Sequence, residues 1–203
     1  LNWTPKMFEA FREICGYDLL KWLPALAGYV IESPESSDRF LWDFRRTIAE
    51  LVAVNHYDLL TEVLKEHGLE RYTESHELVR AFVADGMRVK KNAAIPMSAM
   101  WTGDPSNILA IGASGADCRE SASVAHLYGK KYVAAESLTQ AGNAWGTYPE
   151  ILKERADLLM ANGLNRFIIH ESAHQPLDDF KPGLTLDWFG QWFNRHDTWA
   201  EQS

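Results

Sequence analysis

Three short apolar runs in this 203-residue chain end on a glutamate, and each follows an amphipathic helical stretch closed by a glycine. They are LERYTE ending at Glu74, the 131–135 run ending at Glu136, and RFIIHE ending at His170 and Glu171, after Gly68, Gly129 and Gly163. A short apolar strand cannot bury an unpartnered acid in its middle, but its C-terminal end can present one to a shared cavity. Helices alternating with such strands predict a parallel α/β barrel or sheet, whose active site lies at the C-terminal edge of the strands. Glu74, Glu136 and Glu171 are therefore the candidate carboxylates.

Along the chain, Met7, Phe8, Phe11 and Ile14 recur at helical spacing between Pro5 and Gly16, predicting a short helix. Pro24 and Gly28 interrupt the apolar 17–31 stretch, which reads as a helical turn followed by an extended segment. The SPESSD turn offers an N-cap to a long helix with Phe40, Leu41, Phe44, Ile48, Leu51, Leu59, Val63 and Leu64 on one face, bent near Asn55-His56-Tyr57. Strands are expected at 69–73, 92–101, 131–135 and 166–169, with Pro96 imposing an irregular or edge-like geometry on the second. A helix is expected around 78–86. Asp117 reads as the cap of a helix running to Tyr128 with Val124, Leu127 and Tyr128 inward, and 108–111 as a brief apolar support before it. Pro149 opens a last helix that Gly163 stops.

A hydrophobic content of 46% is ample for the core of one domain, with no internal boundary apparent over 1–203. A net charge of −8 argues against nucleic acid as a partner, and no stretch has the apolar length of a membrane span. Cys15 and Cys118 share no metal-like spacing and read as two independent buried residues. The eight tryptophans are many for this length, and flat aromatic faces commonly serve as platforms for sugar rings as well as for packing. The opening LNWTPK has neither an initiator Met nor a signal sequence, and about four strands are visible where a full (β/α)8 barrel of about 250 residues has eight. The chain thus reads as a piece of something longer, unless the fold is not a barrel.

A glycosidase needs one protonated acid for the leaving oxygen and one ionised carboxylate to activate water or attack the anomeric carbon. Strand-end glutamates meet that need; alternatively they are structural partners of Arg71, Arg119 and Arg166. The HESAH segment matches HExxH through His170, Glu171 and His174, but it follows a β-branched run and leads into Gln-Pro, so the helix that a zinc site requires is not supported. Polar ligand binding by His170 and His174 is the better reading. GASGAD at 112–117 fits neither a phosphate loop nor a nucleophile elbow.

The runs LNWTPKMFEAFREICGYDLLKWLPALAG, SDRFLWDFRRTIAELVAVNHY, IPMSAMW, DCRESASVAHLYGKKYVAAESLT, NRFIIHESAHQP and FGQWFNRHDTW resemble the catalytic barrel of glycoside hydrolase family 106, the α-L-rhamnosidases. The resemblance spans nearly the whole chain. It implies the later half of a (β/α)8 barrel within a multidomain protein, inversion at the anomeric carbon, dependence on calcium, and a periplasmic or secreted location. It assigns the general acid to Glu74 and the water-activating base to Glu136, with Glu171 competing for the base role; the calcium ligands stay unassigned. A rhamnose pocket needs an apolar wall for the sugar's methyl group and donors for its hydroxyls. Trp101 or Trp145 would supply the wall, and His170, His174, Asn194 and Arg195 the donors. Partners implied are a rhamnose-containing carbohydrate and the rest of the parent polypeptide. A retaining glycosidase of another barrel family, a noncatalytic carbohydrate-binding barrel and a zinc hydrolase are the competing readings.

Overall fold

The computed structural model describes residues 3–75, 84–102, 108–140, 146–172, 174–179, 193, 195 and 197–202, with the backbone alone at 102, 108–114 and 202. Its contacts group into two compact units, 1–69 with 81–92, and 70–80 with 93–203. Among the described residues no helix is long and apolar enough to cross a membrane.

The first unit is helical. Helix α1 (Met7–Cys15) ends on Gly16 in the left-handed conformation, as the sequence predicts. The 17–31 stretch forms a 3-10 helix over Leu20–Ala27, closed by Gly28 at a positive φ. Helix α2 (Pro34–Val52) starts where expected: Ser33 Oγ accepts from the Ser36 amide, and Pro34 fills the first turn, where no intrahelical donor is needed. Met7, Phe11, Leu19, Phe40, Phe44 and Ile48 make the core, with Trp22 stacked on Phe40. Each fully buried side chain of this size contributes about 1.5–3 kcal/mol of transfer free energy.

The expected bend at Asn55-His56-Tyr57 is a π-helical turn over Ala53–Asp58, followed by α3 (Leu59–Glu66). That turn swings the apolar stripe away from the core. Leu59 and Val63 are exposed and α3 buries no residue, contrary to the continuous inward face that periodicity suggests. Helix α4 (Gly86–Lys90) is capped by Asp85 and carries Arg88, whose guanidinium reaches Glu50 at 3.1 Å and Asp58 at 2.8 Å. The expected 78–86 helix falls mostly on residues outside those described.

The second unit is built on a parallel sheet of β1 (Tyr72–Thr73), β2 (Ile95–Thr102), β3 (Ala134–Gln140) and β4 (Arg166–Ile169), ordered β1-β2-β3-β4. Helix α5 (Ile108–Leu127) joins β2 to β3, and α6 (Pro149–Ala161) joins β3 to β4. The α/β class with parallel strands is therefore the one expected. Pro96 pairs with Thr73, and the β3 ladder begins one residue later at Met97, so the proline sits where β2 is paired on one side only.

Five expectations are corrected. Strand β1 starts at Tyr72 rather than residue 69, and β2 at Ile95 rather than 92. Strand β3 runs over 134–140, which puts Glu136 inside a strand instead of at its tip. Its parallel neighbour β2 extends to Thr102, and pairing along it carries the polar Glu136, Ser137, Thr139 and Gln140 into the ladder. Helix α5 begins at Ile108, so Asp117 is an interior residue and not a cap. Gly112, Ser114 and Gly115 are poor helix formers, yet tertiary context overrides that weak preference. Val124 of α5 is buried as expected, whereas Leu127 and the following Tyr128 are exposed.

Met100, Ala135 and Phe167 pack with Cys118 of α5 and Leu159 of α6, so the two helices cover that face of the sheet. Cys118 is buried and Cys15 partly so, and neither forms a disulfide. Between α6 and β4, Gly163 has φ +103, and a Cβ there would stand 2.7 Å from the Ala122 Cβ. Asn165 then ties the feet of β3 and β4 together, its Oδ1 accepting from the Val133 amide and its Nδ2 donating to the Lys131 carbonyl.

Candidate active site

Side chains alternate across a strand, and residues paired in a parallel ladder share a face. Glu136 pairs with Ala99 on β2 and Ile168 on β4, whereas its neighbour Ala135 belongs to the helix-covered face. Glu136 therefore lies on the face opposite α5 and α6.

Its carboxylate is held within its own strand. The Thr139 hydroxyl donates to Glu136 Oε1 at 2.6 Å. Residues three apart on a regular strand point to opposite faces, so this bond requires an irregularity. The β2–β3 register supplies it: Met100 pairs with Ser137 but Trp101 pairs with Thr139, leaving Leu138 as one extra residue at φ +66. This is a β-bulge, and it returns Thr139 to the face of Glu136 and Trp101. A left-handed conformation at a non-glycine residue costs about 1–2 kcal/mol.

Two of the three arginines offered as structural partners, Arg119 and Arg166, are engaged elsewhere. Arg119 Nη1 donates to Asn162 Oδ1 at 3.1 Å, and the Arg166 guanidinium sits 5.1 Å from the centre of the Tyr132 ring. Among the described residues no basic side chain pairs with Glu136.

The neighbouring strand β4 delivers the second candidate. His170 Nε2 and Glu171 Oε2 are 3.5 Å apart, both side chains are largely buried, and the peptide joining them is cis. The Glu171 carbonyl accepts from the Phe193 amide, which draws the C-terminal tail back to the strand end. Residues 170–172, 174 and 175 are not helical, so the helical i, i+4 arrangement that HExxH uses for zinc is not formed by His170 and His174.

Glu74 leaves β1 one residue after the Thr73–Pro96 pair. Continuing that register sets it level with Met97, and hence with Ala134 of β3, two residues before Glu136. Adjacent strands lie about 4.8 Å apart, so Glu74 is roughly 10 Å across the sheet from β3, with β2 between them. Its exit is anchored next door, where the Ser75 hydroxyl lies 3.5 Å from Glu120 Oε1 on α5.

The remaining candidates divide. Trp101 shares the Glu136 face two pairs further along the ladder. His174 is exposed on the extended segment beyond β4. Arg195 donates to Asp178 Oδ1 at 2.8 Å and to the Gln175 carbonyl at 3.4 Å, which pins it to that segment. Trp145 and Asn194 lie outside the described residues. Among the described residues no three His, Cys, Asp or Glu side chains gather closely enough to hold a metal ion.

Two residues escape sequence reasoning. Thr139 was invisible because nothing in ESLT announces the extra residue that turns it toward Glu136. Asp117 reads in the sequence as a cap, whereas its buried carboxylate accepts from the Ala99 amide at 3.1 Å and so ties α5 to β2.

A family model described as alpha-L-rhamnosidase, glycoside hydrolase family 106, matches residues 1–203. The structure is similar to that of a rhamnosidase from Novosphingobium sp. PP1Y, with a TM-score of 0.89 and 46% identity over 99% of this chain and 19% of that one. A curated relative from Formosa agariphila, named "Putative beta-glucuronidase", is 39% identical over 202 residues, 99% of this chain and 16% of its own length. This chain thus spans less than a fifth of either relative, and by its full-length match it belongs to glycoside hydrolase family 106, the alpha-L-rhamnosidase family.

Proposed function

We propose that the intact protein hydrolyses terminal α-L-rhamnosides and that this chain supplies the carboxylates for the reaction. The observation that carries the reading is Glu136: a carboxylate on the sheet face away from the helices, fixed by Thr139, with no basic partner among the described residues. Such a group is suited to accept a proton from water as it attacks the anomeric carbon. Glu74, across β2, is the proposed general acid for the leaving oxygen. Two carboxyls on opposite sides of a scissile bond, separated by enough room for a water, give inversion. Glu171, on the adjacent strand, competes for the role of base.

The β1-β2-β3-β4 order, without reversal, suits one continuous arc of a (β/α)8 barrel, and we propose that the parent polypeptide closes it. The face opposite α5 and α6 would then line the barrel, with Trp101 as the apolar wall. Calcium, implied by the family, is proposed as a cofactor of the intact protein, and the described residues assign it no ligand.

The test is turnover of an aryl α-L-rhamnoside by the intact protein beside Glu74→Gln, Glu136→Gln and Glu171→Gln variants, with product anomers followed by NMR. Loss with Glu74→Gln and Glu136→Gln, and first release of the inverted anomer, supports the assignment. Collapse with Glu171→Gln and not Glu136→Gln moves the base to Glu171. Hydrolysis of an aryl β-D-glucuronide in preference, following the name of the Formosa relative, would replace rhamnose as substrate, and binding without turnover of either would make the barrel a carbohydrate-binding module.

A further inference from the structure

We infer that Thr139 is the positioning residue of Glu136, and that the bulge at Leu138 is the device that puts its hydroxyl there; the inference deepens the hydrolase reading above. Three observations converge. The hydroxyl-to-carboxylate distance is 2.6 Å, the length of a hydroxyl donating fully to a carboxylate. The bond exists only because β3 carries one residue more than β2 between the Met100–Ser137 and Trp101–Thr139 pairs. That residue is a leucine at φ +66, a conformation that a glycine or asparagine would adopt at lower cost.

Thr139 is fully buried, so its hydroxyl is not a surface group that happens to lie near an acid. Glu136 is partly open, and its other carboxylate oxygen forms no hydrogen bond among the described residues. The arrangement locks a side chain of three rotatable bonds by one oxygen and leaves the second for chemistry. A group that removes a proton from attacking water must be held close to its productive position, and a misplacement of about 1 Å costs on the order of 100-fold in rate. Bulges of this kind occur beside active sites, where they re-aim side chains.

The experiment compares the intact protein with Thr139→Val, which removes the hydroxyl at nearly constant size, and Thr139→Ser, which keeps it. Thr139→Val is expected to lower kcat on an aryl α-L-rhamnoside by about 10- to 100-fold with KM little changed, because the interaction positions a reacting group and does not bind substrate. Thr139→Ser is expected to restore most of kcat. Crystal structures of the wild type and Thr139→Val should show the Glu136 carboxylate rotated in the variant. An unchanged kcat and carboxylate in Thr139→Val overturns the inference. Equal loss in Val and Ser, with equal loss of thermal stability, also overturns it, since that marks a packing role. If the wild type does not hydrolyse the rhamnoside, the hydrolase reading fails, while the two crystal structures still decide positioning by whether the carboxylate moves.

Discussion

The amide of Ala99, in the middle of β2, donates to the carboxylate of Asp117, in the middle of α5, across 3.1 Å. Strand β1 is two residues long and pairs only with Ile95 and Pro96, so β2 runs on past its end. Ala99 would otherwise be an unpaired buried amide, and a helix side chain takes the place of the missing strand.

Asp117→Ala should therefore free that amide and destabilise the sheet by about 1–3 kcal/mol, the usual cost of an orphaned buried donor. Hydrogen exchange followed by mass spectrometry is the direct check. The β2 peptide containing Ala99 should exchange faster in the variant, and unchanged protection would mean that the contact carries no stability.

Gly163 and Gly16 offer a paired comparison. Both close helices at positive φ, but a Cβ at Gly163 meets Ala122 at 2.7 Å, whereas nothing lies within 4 Å of one at Gly16. Gly16→Ala should cost only the left-handed penalty of about 1–2 kcal/mol. Gly163→Ala should add about 1–3 kcal/mol of overpacking. Melting temperatures of the two variants check this, and equal losses would show that the α5–α6 contact relaxes freely.

Alkaline stability should depend on Tyr17. Burial pushes its hydroxyl well above the usual tyrosine range, and the hydrogen bond it donates to Asp43 adds to the shift. The folded chain thus holds this proton more tightly than the unfolded one. The stabilisation is complete below the unfolded value of about 10 and is lost as pH rises from there toward the folded value. Tyr17→Phe should flatten the fall in melting temperature above that pH, while losing about 1 kcal/mol at neutral pH with the hydrogen bond. The Cys15 thiol, also raised chiefly by burial, should keep a smaller alkaline dependence in the variant. An unchanged pH profile in Tyr17→Phe would contradict the assignment.

Trp101 shares a sheet face with Glu136 but makes no proton transfer in the proposed reaction. Trp101→Ala should raise KM more than it lowers kcat, the signature of lost uniform binding. Steady-state kinetics on the aryl rhamnoside decide it, and a fall in kcat at constant KM would instead place Trp101 among the groups that act in the transition state.

Much of the architecture was legible because it is written in local chemistry. Pro34 after Ser33, Gly16 after the first helix and Pro149 with Gly163 around the last are stop and start signals that depend on φ preferences and on the amide that proline lacks. Alternation of such helices with short apolar runs determined the parallel α/β class, and the strand-end acids pointed to one edge of it. Where the chain was misread, a distant partner had decided. Asp117 is helical and buried because β2 needs an acceptor there, and α3 faces water because a π turn precedes it. Glu136 and Thr139 meet because β3 must match the register of β2 on either side of one surplus residue. Sequence periodicity reports what a residue does to its own backbone, whereas register, bulges and the partners of buried carboxylates are set by a second strand or helix, so only the tertiary structure decided them.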